Sequence, residues 1–213
     1  MSILNCRILY LGKILFTFCT LLFVSNCSIS QSIYWGPEAG MNFSNITESP
    51  SSGVTSDSKT GLVAGLIFET KYESNFSNIF GIRYITKGYN IKNGQADVSL
   101  NLEYLDFPAF VKYNFNIENI NPYIVAGVAF GLNLSAKLKA SQDLAAAEVD
   151  VKKSIEVLNY DLLFGAGIDI NILESKKLFV QIAYSLGLSD INKSSTSWRN
   201  TGIQVTTGIL FSL

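Results

Sequence analysis

The sequence alternates apolar with small or polar residues in about eight segments that begin at Ile33. In the last segment, for example, Ile203 and Val205 alternate with Gly202 and Gln204. Because successive side chains of a strand point to opposite faces, each segment is predicted to be a strand with one apolar face and one small, polar face. The fold is therefore predicted to be all-β, with strands at about 33–45, 60–72, 78–90, 99–115, 122–138, 157–171, 177–189 and 200–213.

Charged residues of these strands fall on the face opposite the apolar rows, and most strand glycines share that face. The charged residues are Glu38, Glu69, Lys71, Arg83, Lys87, Asp106, Lys112, Asp161 and Asp169. An unpaired charge in an apolar interior costs several kcal/mol, so this face is not the dry core of a soluble protein. Glycine weakens a solvent-facing strand, whereas a narrow barrel of about eight strands has room inside only for small side chains beside a few long ones. The polar face is therefore predicted to line a filled lumen and the apolar face to contact lipid.

The lumen charges are predicted to form a structural ion-pair network and no catalytic, cofactor-binding or metal site. The cations Arg83, Lys87 and Lys112 are expected to face four acids, Glu38, Glu69, Asp106 and Asp161, with Asp169 on the same face.

The connections between strands also sort by length. Long polar connections such as 46–59 follow the first, third, fifth and seventh strands, and short turns follow the second, fourth and sixth. This alternation is typical of an antiparallel up-and-down transmembrane barrel with both termini on one side. A bulge or bend is expected at Pro108, which lacks a ladder donor, and a helical turn is considered at 142–149.

Aromatic residues near the strand ends predict two interfacial girdles. Tyr72, Tyr113 and Phe211 are assigned to one girdle. Phe43, Tyr89, Tyr160 and Trp198 are assigned to the other.

The composition excludes several function classes. Charged residues make up 15% of the chain and hydrophobic residues 48%, yet no segment beyond the N-terminus is apolar for the about 20 residues of a spanning helix. A net charge of −1 gives no electrostatic case for nucleic acid. Histidine is absent, which removes the usual general base and the commonest metal ligand. The three cysteines all lie within the first 27 residues, so no cysteine-based site is expected in the mature domain.

The N-terminus has the pattern of a secretory signal peptide. Arg7 and Lys13 precede an apolar run at 14–24, and small residues precede Gln31. Cleavage before Gln31 is predicted. The alternative is a lipoprotein in which Cys27 is acylated, although the Asn before Cys27 departs from the usual small residue.

The end of the chain resembles the C-terminal β-signal of bacterial outer-membrane barrels, in which a polar residue, a glycine and two hydrophobic residues follow a fixed spacing. The matching residues are Thr206, Gly208, Phe211 and Leu213. The resemblance implies recognition by the barrel-assembly machinery in the periplasm.

Further segments resemble the outer-membrane β-barrel family that includes PorT-like proteins, over roughly residues 31–213. They are Gly88 with the preceding 84–87, the segment 104–113, and the segment 122–132. These motifs are architectural. The resemblance implies a small monomeric barrel in the outer membrane of a Gram-negative-type envelope, and PorT-like members take part in protein secretion across that membrane.

The domain organisation is thus predicted to be a signal peptide at 1–30 followed by an outer-membrane β-barrel domain at 31–213. The leading hypothesis for function is a non-enzymatic barrel, structural or interacting through its outer loops, with outer-membrane lipid, the assembly machinery and an extracellular or periplasmic protein as partners. It is expected to be a monomer in the cell outer membrane, with no cofactor. One alternative is a soluble lipocalin-like carrier of an apolar ligand, with the two faces exchanged. A second, a lipid-modifying enzyme, is disfavoured because its nucleophilic serine would need a histidine.

Overall fold

The computed structural model describes residues 32–47, 55–93, 96–115, 117, 120–142, 145–173, 175–191 and 198–213. The predicted signal peptide and Cys27 lie outside these residues. Among the described residues, no helix combines the length and apolarity needed to cross a membrane.

The described residues form nine strands and one short helix. They are β1 (Ser32–Thr47), β2 (Thr55–Lys71), β3 (Phe76–Asn93), β4 (Ala96–Asn114), β5 (Ile120–Gln142), β6 (Ala145–Asp150), β7 (Leu158–Leu173), β8 (Lys176–Gly187) and β9 (Arg199–Ser212), with a 3-10 helix at Lys152–Ser154. The predicted strands are therefore confirmed, with ends that differ by up to five residues.

Eight of these strands close into an antiparallel up-and-down barrel. Each pairs with the next in the chain, β5 pairs with β7, and β9 returns to pair with β1. The short β6 pairs with the far part of β5 and lies outside the ring. The predicted eight-stranded transmembrane barrel is confirmed. We call the end where β1 begins and β9 ends the proximal end, and the other the distal end.

The strands extend further at the distal end than the loop composition predicts. β3 and β4 run to Asn93 and from Ala96, so the expected connection there is largely strand. The helical turn considered at 142–149 is wrong, because Ala145–Asp150 is a strand paired with β5. Alanine favours a helix, but the hydrogen bonds offered by the neighbouring strand outweigh this weak local preference.

Pro108 interrupts pairing without the predicted bulge. The β3–β4 ladder skips two pairs between Phe80↔Ala109 and Arg83↔Asp106 and resumes in the same register. A bulge lies instead in β5, where Leu134 has no opposite residue between Glu103↔Ser135 and Tyr104↔Asn133. The missing donor of Pro108 is thus absorbed by a local gap in the ladder.

The two faces are arranged as the alternation predicts. Outward positions carry exposed apolar side chains around the ring, including Trp35, Leu66, Ile124, Ile182 and Ile203. The charged and glycine-rich rows face inward. The lipocalin-like alternative requires the opposite arrangement and is therefore wrong.

The lumen also contains two apolar clusters. The distal cluster comprises Ile46, Val63, Ile85, Tyr89, Leu100, Leu102, Tyr104, Ala136, Ile155 and Ile191, with Leu138, Val151 and Trp198 against it. The proximal cluster comprises Ile67, Ile79, Phe110, Tyr123, Val125, Ala129, Leu163, Phe179 and Leu210, with Tyr34 against it.

Two residues assigned to the distal girdle lie inside the barrel instead. Tyr89 is 3% exposed and meets Trp198 edge-to-face, with ring centroids 5.9 Å apart. Tyr89 is two residues from the inward Lys87, and Trp198 is two residues before the inward Asn200. The alternation itself therefore places both inside, and the girdle assignment of these two residues is wrong.

Gly88 shapes the wall where β2 and β3 change register. The register shifts between Ser58 and Val63, and Gly88 has a φ of +147°. Ser44 of β1 reaches across this gap: its Oγ accepts a hydrogen bond from the Gly88 N–H (2.8 Å) and donates one to the Gly88 carbonyl (2.9 Å). The Lys59 side chain passes Gly88 and donates to Ser99 Oγ at 2.8 Å.

We predict that Gly88→Ala lowers the free energy of unfolding by about 1–3 kcal/mol, because an added Cβ meets the Leu100 carbonyl oxygen and the φ suits glycine. Urea titration in lipid vesicles, followed by tryptophan fluorescence, measures the effect. Gly131→Ala is the matched control, since its Cβ comes no nearer than 3.3 Å to any neighbour. Equal losses for the two variants would contradict this account of Gly88.

Candidate functional site

The eight charged residues assigned to the ion-pair network are buried, with at most 6% of each residue exposed, whereas Lys71, placed on the same face, is only partly buried at the end of β2. They come from strands around the barrel and are Glu38, Glu69, Arg83, Lys87, Asp106, Lys112, Asp161 and Asp169. The structure arranges them in three groups.

The first group lies along one row of paired residues. Glu38 is opposite Gly65, Gly65 is opposite Arg83, and Arg83 is opposite Asp106. A Cβ at Gly65 would collide with Cα and Cβ of Arg83, so the glycine allows β2 to lie close to the base of the Arg83 side chain. Arg83 Nε donates to Asp106 Oδ2 at 2.9 Å, whereas Arg83 Nη1 is 3.7 Å from Glu38 Oε1. Arg83 therefore binds Asp106 closely and Glu38 only loosely.

The second group is a single buried pair. Lys87 Nζ donates to Asp161 Oδ2, connecting β3 to β7 across the lumen. The same ammonium lies 5.4 Å from the centre of the Tyr104 ring, a favourable cation–π distance.

The third group, toward the proximal end, contains two carboxylates bridged by two lysines. Lys112 Nζ lies 3.3 Å from Glu69 and 2.6 Å from Asp169. Lys177 Nζ lies 2.7 Å from Glu69 and 3.1 Å from Asp169. Each ammonium also contacts an aromatic face: Lys112 that of Tyr123 at 4.0 Å and Lys177 that of Tyr34 at 4.4 Å.

Lys177 is missing from the predicted network, although the sequence carries the signal for it. It has the same parity as Gln181 and Ser185, which face inward along β8. It is also the second residue of that strand, where a lysine is usually assigned to a turn. The predicted partners of Lys112 likewise omitted Asp169, although Asp169 had been placed on the same face.

The lumen is filled at every level that these groups and clusters occupy. A small cavity of about 10 Å³ lies between the third group and the proximal cluster, about the size of one water molecule. Within the described part of the chain, no group of three or more His, Cys, Asp or Glu side chains is arranged to hold a metal ion.

The residues of the predicted β-signal lie on β9 and at the chain end. Thr206 faces the interior and is 2% exposed, and Gly208 packs closely against Phe179. The Phe211 ring lies beside that of Trp35 in a tilted arrangement with centroids 6.2 Å apart, while Leu213 is 80% exposed. Both edges of β9 are paired, one with β1 and the other with β8.

A closed barrel with an apolar outer face and a packed ionic lumen defines a small integral outer-membrane protein. The family model for the outer membrane protein beta-barrel domain matches residues 29–193, and the chain belongs to that family. Its location is the cell outer membrane.

The chain is similar to several solved outer-membrane barrels. Neisserial surface protein A is 16% identical, with a TM-score of 0.50, and the match covers 86% of this chain and 99% of that one. OprG from Pseudomonas aeruginosa is 14% identical, with a TM-score of 0.46, covering 87% of this chain and 96% of that one. Ail of Yersinia pestis is 14% identical, with a TM-score of 0.43, covering 84% and 98%. No curated protein matches the sequence.

We predict that Arg83→Leu lowers the free energy of unfolding by about 3–5 kcal/mol, because it leaves Asp106 and Glu38 buried without their cation. Arg199→Leu is the matched control. Arg199 and its partner Asp190 are about half exposed and 3.7 Å apart, so less than about 1 kcal/mol is expected. Urea unfolding in vesicles measures both, and similar losses would contradict a stabilising role for the lumen network.

A second prediction concerns Lys177. Lys177→Met removes one of two ammonium groups shared by Glu69 and Asp169, so a loss of about 1–3 kcal/mol is expected. The neighbouring Lys176→Met serves as control, because Lys176 is exposed and its ammonium lies 5.5 Å from the centre of the Phe211 ring. An unchanged unfolding midpoint for Lys177→Met would show that Lys112 alone stabilises the two carboxylates.

Proposed function

We propose that this protein is a non-enzymatic, non-porin barrel that presents a β-sheet outside the outer membrane to a protein partner. The observation that carries the proposal is the extension of β3, β4 and β5, with β6 added, beyond the apolar band at the distal end. In barrels of this class the termini and short turns face the periplasm, so the distal end is extracellular.

The extension follows from the strand lengths. A transmembrane strand needs about 9–11 residues. β4 has 19 residues and β5 has 23. On β5 the outward row changes from Phe130 and Leu132 to Ser135, Lys137 and Lys139, so the strand leaves the apolar band near its bulge. We define the distal sheet as residues 86–93, 96–103, 135–142 and 145–150.

Within the described chain, β6 forms one edge of the distal sheet, and residues 55–58 of β2, which pair with β3, form the other. Among the described residues, β6 pairs with β5 alone. The Val151 N–H donates to the Ala136 carbonyl at 3.0 Å. This bond shows that the odd-numbered residues of β6 direct their backbone N–H and C=O groups toward β5. The N–H and C=O groups of successive residues point to opposite sides of a strand. Those of the even-numbered residues Ala146, Glu148 and Asp150 therefore point away from β5. An extended segment of a partner can add to such an edge through main-chain hydrogen bonds.

Two exposed ion pairs on the outer face connect β6 to β5. Lys137 Nζ lies 2.7 Å and Lys139 Nζ 3.1 Å from the Glu148 carboxylate. Hydrogen bonds from both lysines lower the pKa of Glu148, and the bond to Glu148 raises the pKa of Lys137. Since protonating Glu148 breaks these bonds, their contribution is present at neutral pH and is lost as the pH falls through the lowered pKa.

The filled lumen supports the non-porin part of the proposal. Three ionic groups and two apolar clusters occupy the interior, and a barrel of this strand number leaves only enough space for side chains. The lack of histidine favours a binding role over the lipid-modifying chemistry of other small barrels.

Further partners belong to the same proposal. Outer-membrane lipid contacts the apolar face of a monomer, and the assembly machinery reads Thr206, Gly208, Phe211 and Leu213 before β9 acquires its final neighbours. The PorT-like resemblance makes a secreted protein the first class of partner to test.

The open edge is tested with Ala146→Pro. Proline removes an N–H that points away from β5, so it blocks strand addition while sparing the bonds of the β5–β6 hairpin. With a photo-crosslinking residue at Asp150 in intact cells, we expect a crosslinked protein that is lost in Ala146→Pro. Ala146→Ser is the control that keeps the N–H. Equal crosslinking in the proline and serine variants would contradict binding by strand addition.

The closed lumen is tested by conductance in planar bilayers. We expect no steady open-channel current from the folded protein. The faster gel mobility of an unboiled sample confirms that folded barrel was added. A stable conductance that persists in this material would contradict the non-porin assignment.

A further inference from the structure

The buried charges of the lumen do not balance. Five carboxylates are buried in the described barrel: Glu38, Glu69, Asp106, Asp161 and Asp169. Four cations are buried with them: Arg83, Lys87, Lys112 and Lys177. With every group ionised, five negative and four positive charges leave a net charge of −1. A buried uncompensated charge is strongly destabilising, so this excess needs a counter-charge.

The excess charge lies on Glu38. Lys87 is paired with Asp161, Lys112 and Lys177 share Glu69 and Asp169, and Arg83 is hydrogen-bonded to Asp106. Glu38 is left with Arg83 Nη1 at 3.7 Å, which is too long for a hydrogen bond. Among the described residues, its Oε1 has no hydrogen-bond donor, although 95% of its side chain is buried.

Glu38 lines the small cavity described above. The polar residues around that cavity are Glu38, Glu69, Lys112, Tyr123, Asp169 and Gln181. Within the described barrel, two more of their carboxylate oxygens, Glu69 Oε1 and Asp169 Oδ1, are buried without a hydrogen bond, although Lys112 Nζ lies 3.3 Å from Glu69 Oε1. The unsatisfied atoms at this cavity are therefore carboxylate acceptors, and the space is about that of one water molecule.

We propose that this cavity is a binding site for one small cation taken from the medium, either a monovalent metal ion such as Na⁺ or K⁺ or a hydronium ion. A single positive charge there neutralises the lumen and gives Glu38 Oε1 a partner. A divalent metal does not fit the charge balance, because Lys112 and Lys177 already neutralise Glu69 and Asp169 and only one negative charge remains to be compensated.

Besides Glu38 on β1, the charged and polar groups that line the cavity or form ion pairs with that network come from six strands, whereas β9 contributes only the apolar Leu210 to the lining. Arg83 and Asp106 approach from β3 and β4, Glu69 from β2 and Lys112 from β4. Tyr123 on β5, Asp169 on β7, and Lys177 and Gln181 on β8 complete the surroundings. Of the carboxylates among them, Glu38 alone lacks a cation within hydrogen-bond distance. Substituting Glu38 therefore tests the proposed cation site without breaking a close ion pair.

The experiment measures the apparent thermal unfolding midpoint of the full mature barrel in detergent, read from gel mobility. At pH 8 and constant ionic strength, chloride salts of Na⁺, K⁺ and choline are compared, since choline is too large for the cavity. A second series with choline alone compares pH 8 with pH 6. Glu38→Gln, which has the same shape without the charge, is the test variant. Glu156→Gln, at an exposed position, controls for the change in net charge.

The expected result is a midpoint about 2–4 °C higher in Na⁺ or K⁺ than in choline for the wild type and Glu156→Gln, and no difference for Glu38→Gln. A rise of similar size from pH 8 to pH 6 in choline, again absent from Glu38→Gln, identifies hydronium as the source. This follows because a solvent-exposed Glu in the unfolded chain is already ionised at both pH values.

A wild-type midpoint that responds to neither cation nor pH overturns the proposal, as does a response that Glu38→Gln retains. If Glu38→Gln fails to fold, the wild-type comparison of Na⁺ with choline still decides the matter. The outcome is independent of the partner-binding proposal, because it concerns the lumen and not the distal sheet.

Discussion

The structure depends on the pairing of charges inside a barrel that has almost no space for water. An outer face made of aliphatic and aromatic residues places the barrel in lipid, and the polar rows then have nowhere to point but inward. Glycine assists the pairing: Gly65 allows β2 to lie close to the base of the Arg83 side chain, which lies between Glu38 and Asp106. The ionic groups and the two apolar clusters together fill the lumen, so rigidity and closure to solutes have the same physical origin.

Alternation along the sequence was sufficient to predict the strands, the direction of both faces and the barrel topology. The prediction succeeded because side chains alternate between the two faces of a strand: once one set of residues faces lipid, the other set must face the lumen. The same rule places Tyr89 and Trp198 inside, where the structure has them, and an interfacial role was wrongly preferred for both. Lys177 was missed for a related reason. A lysine beside a turn is usually assigned to the solvent-exposed end of a strand, although the alternation along β8 places the Lys177 side chain inside the barrel.

Other features could not be read from local sequence. The distal strands run through polar and alanine-rich segments that have weak strand preference, and they exist because a neighbouring strand supplies hydrogen bonds. Pro108 removes a donor, but how the ladder absorbs the loss depends on the partner strand. Which acid each lysine meets depends on strand tilt and register around the whole ring. The family match gives the class of protein and names no partner, so the partner proposed above rests on the geometry of the distal sheet alone.

The ionic contact between Lys177 and Glu69 joins residues 108 positions apart in the chain. Lys177 lies on β8 and Glu69 on β2, and β9 and β1 must both be in place between them before the two charges share one closed interior. An open, partly inserted sheet would expose these charges to hydrocarbon, where each is costly. Insertion is therefore expected to be all-or-none: the ions that stabilise the finished barrel penalise every half-assembled form of it.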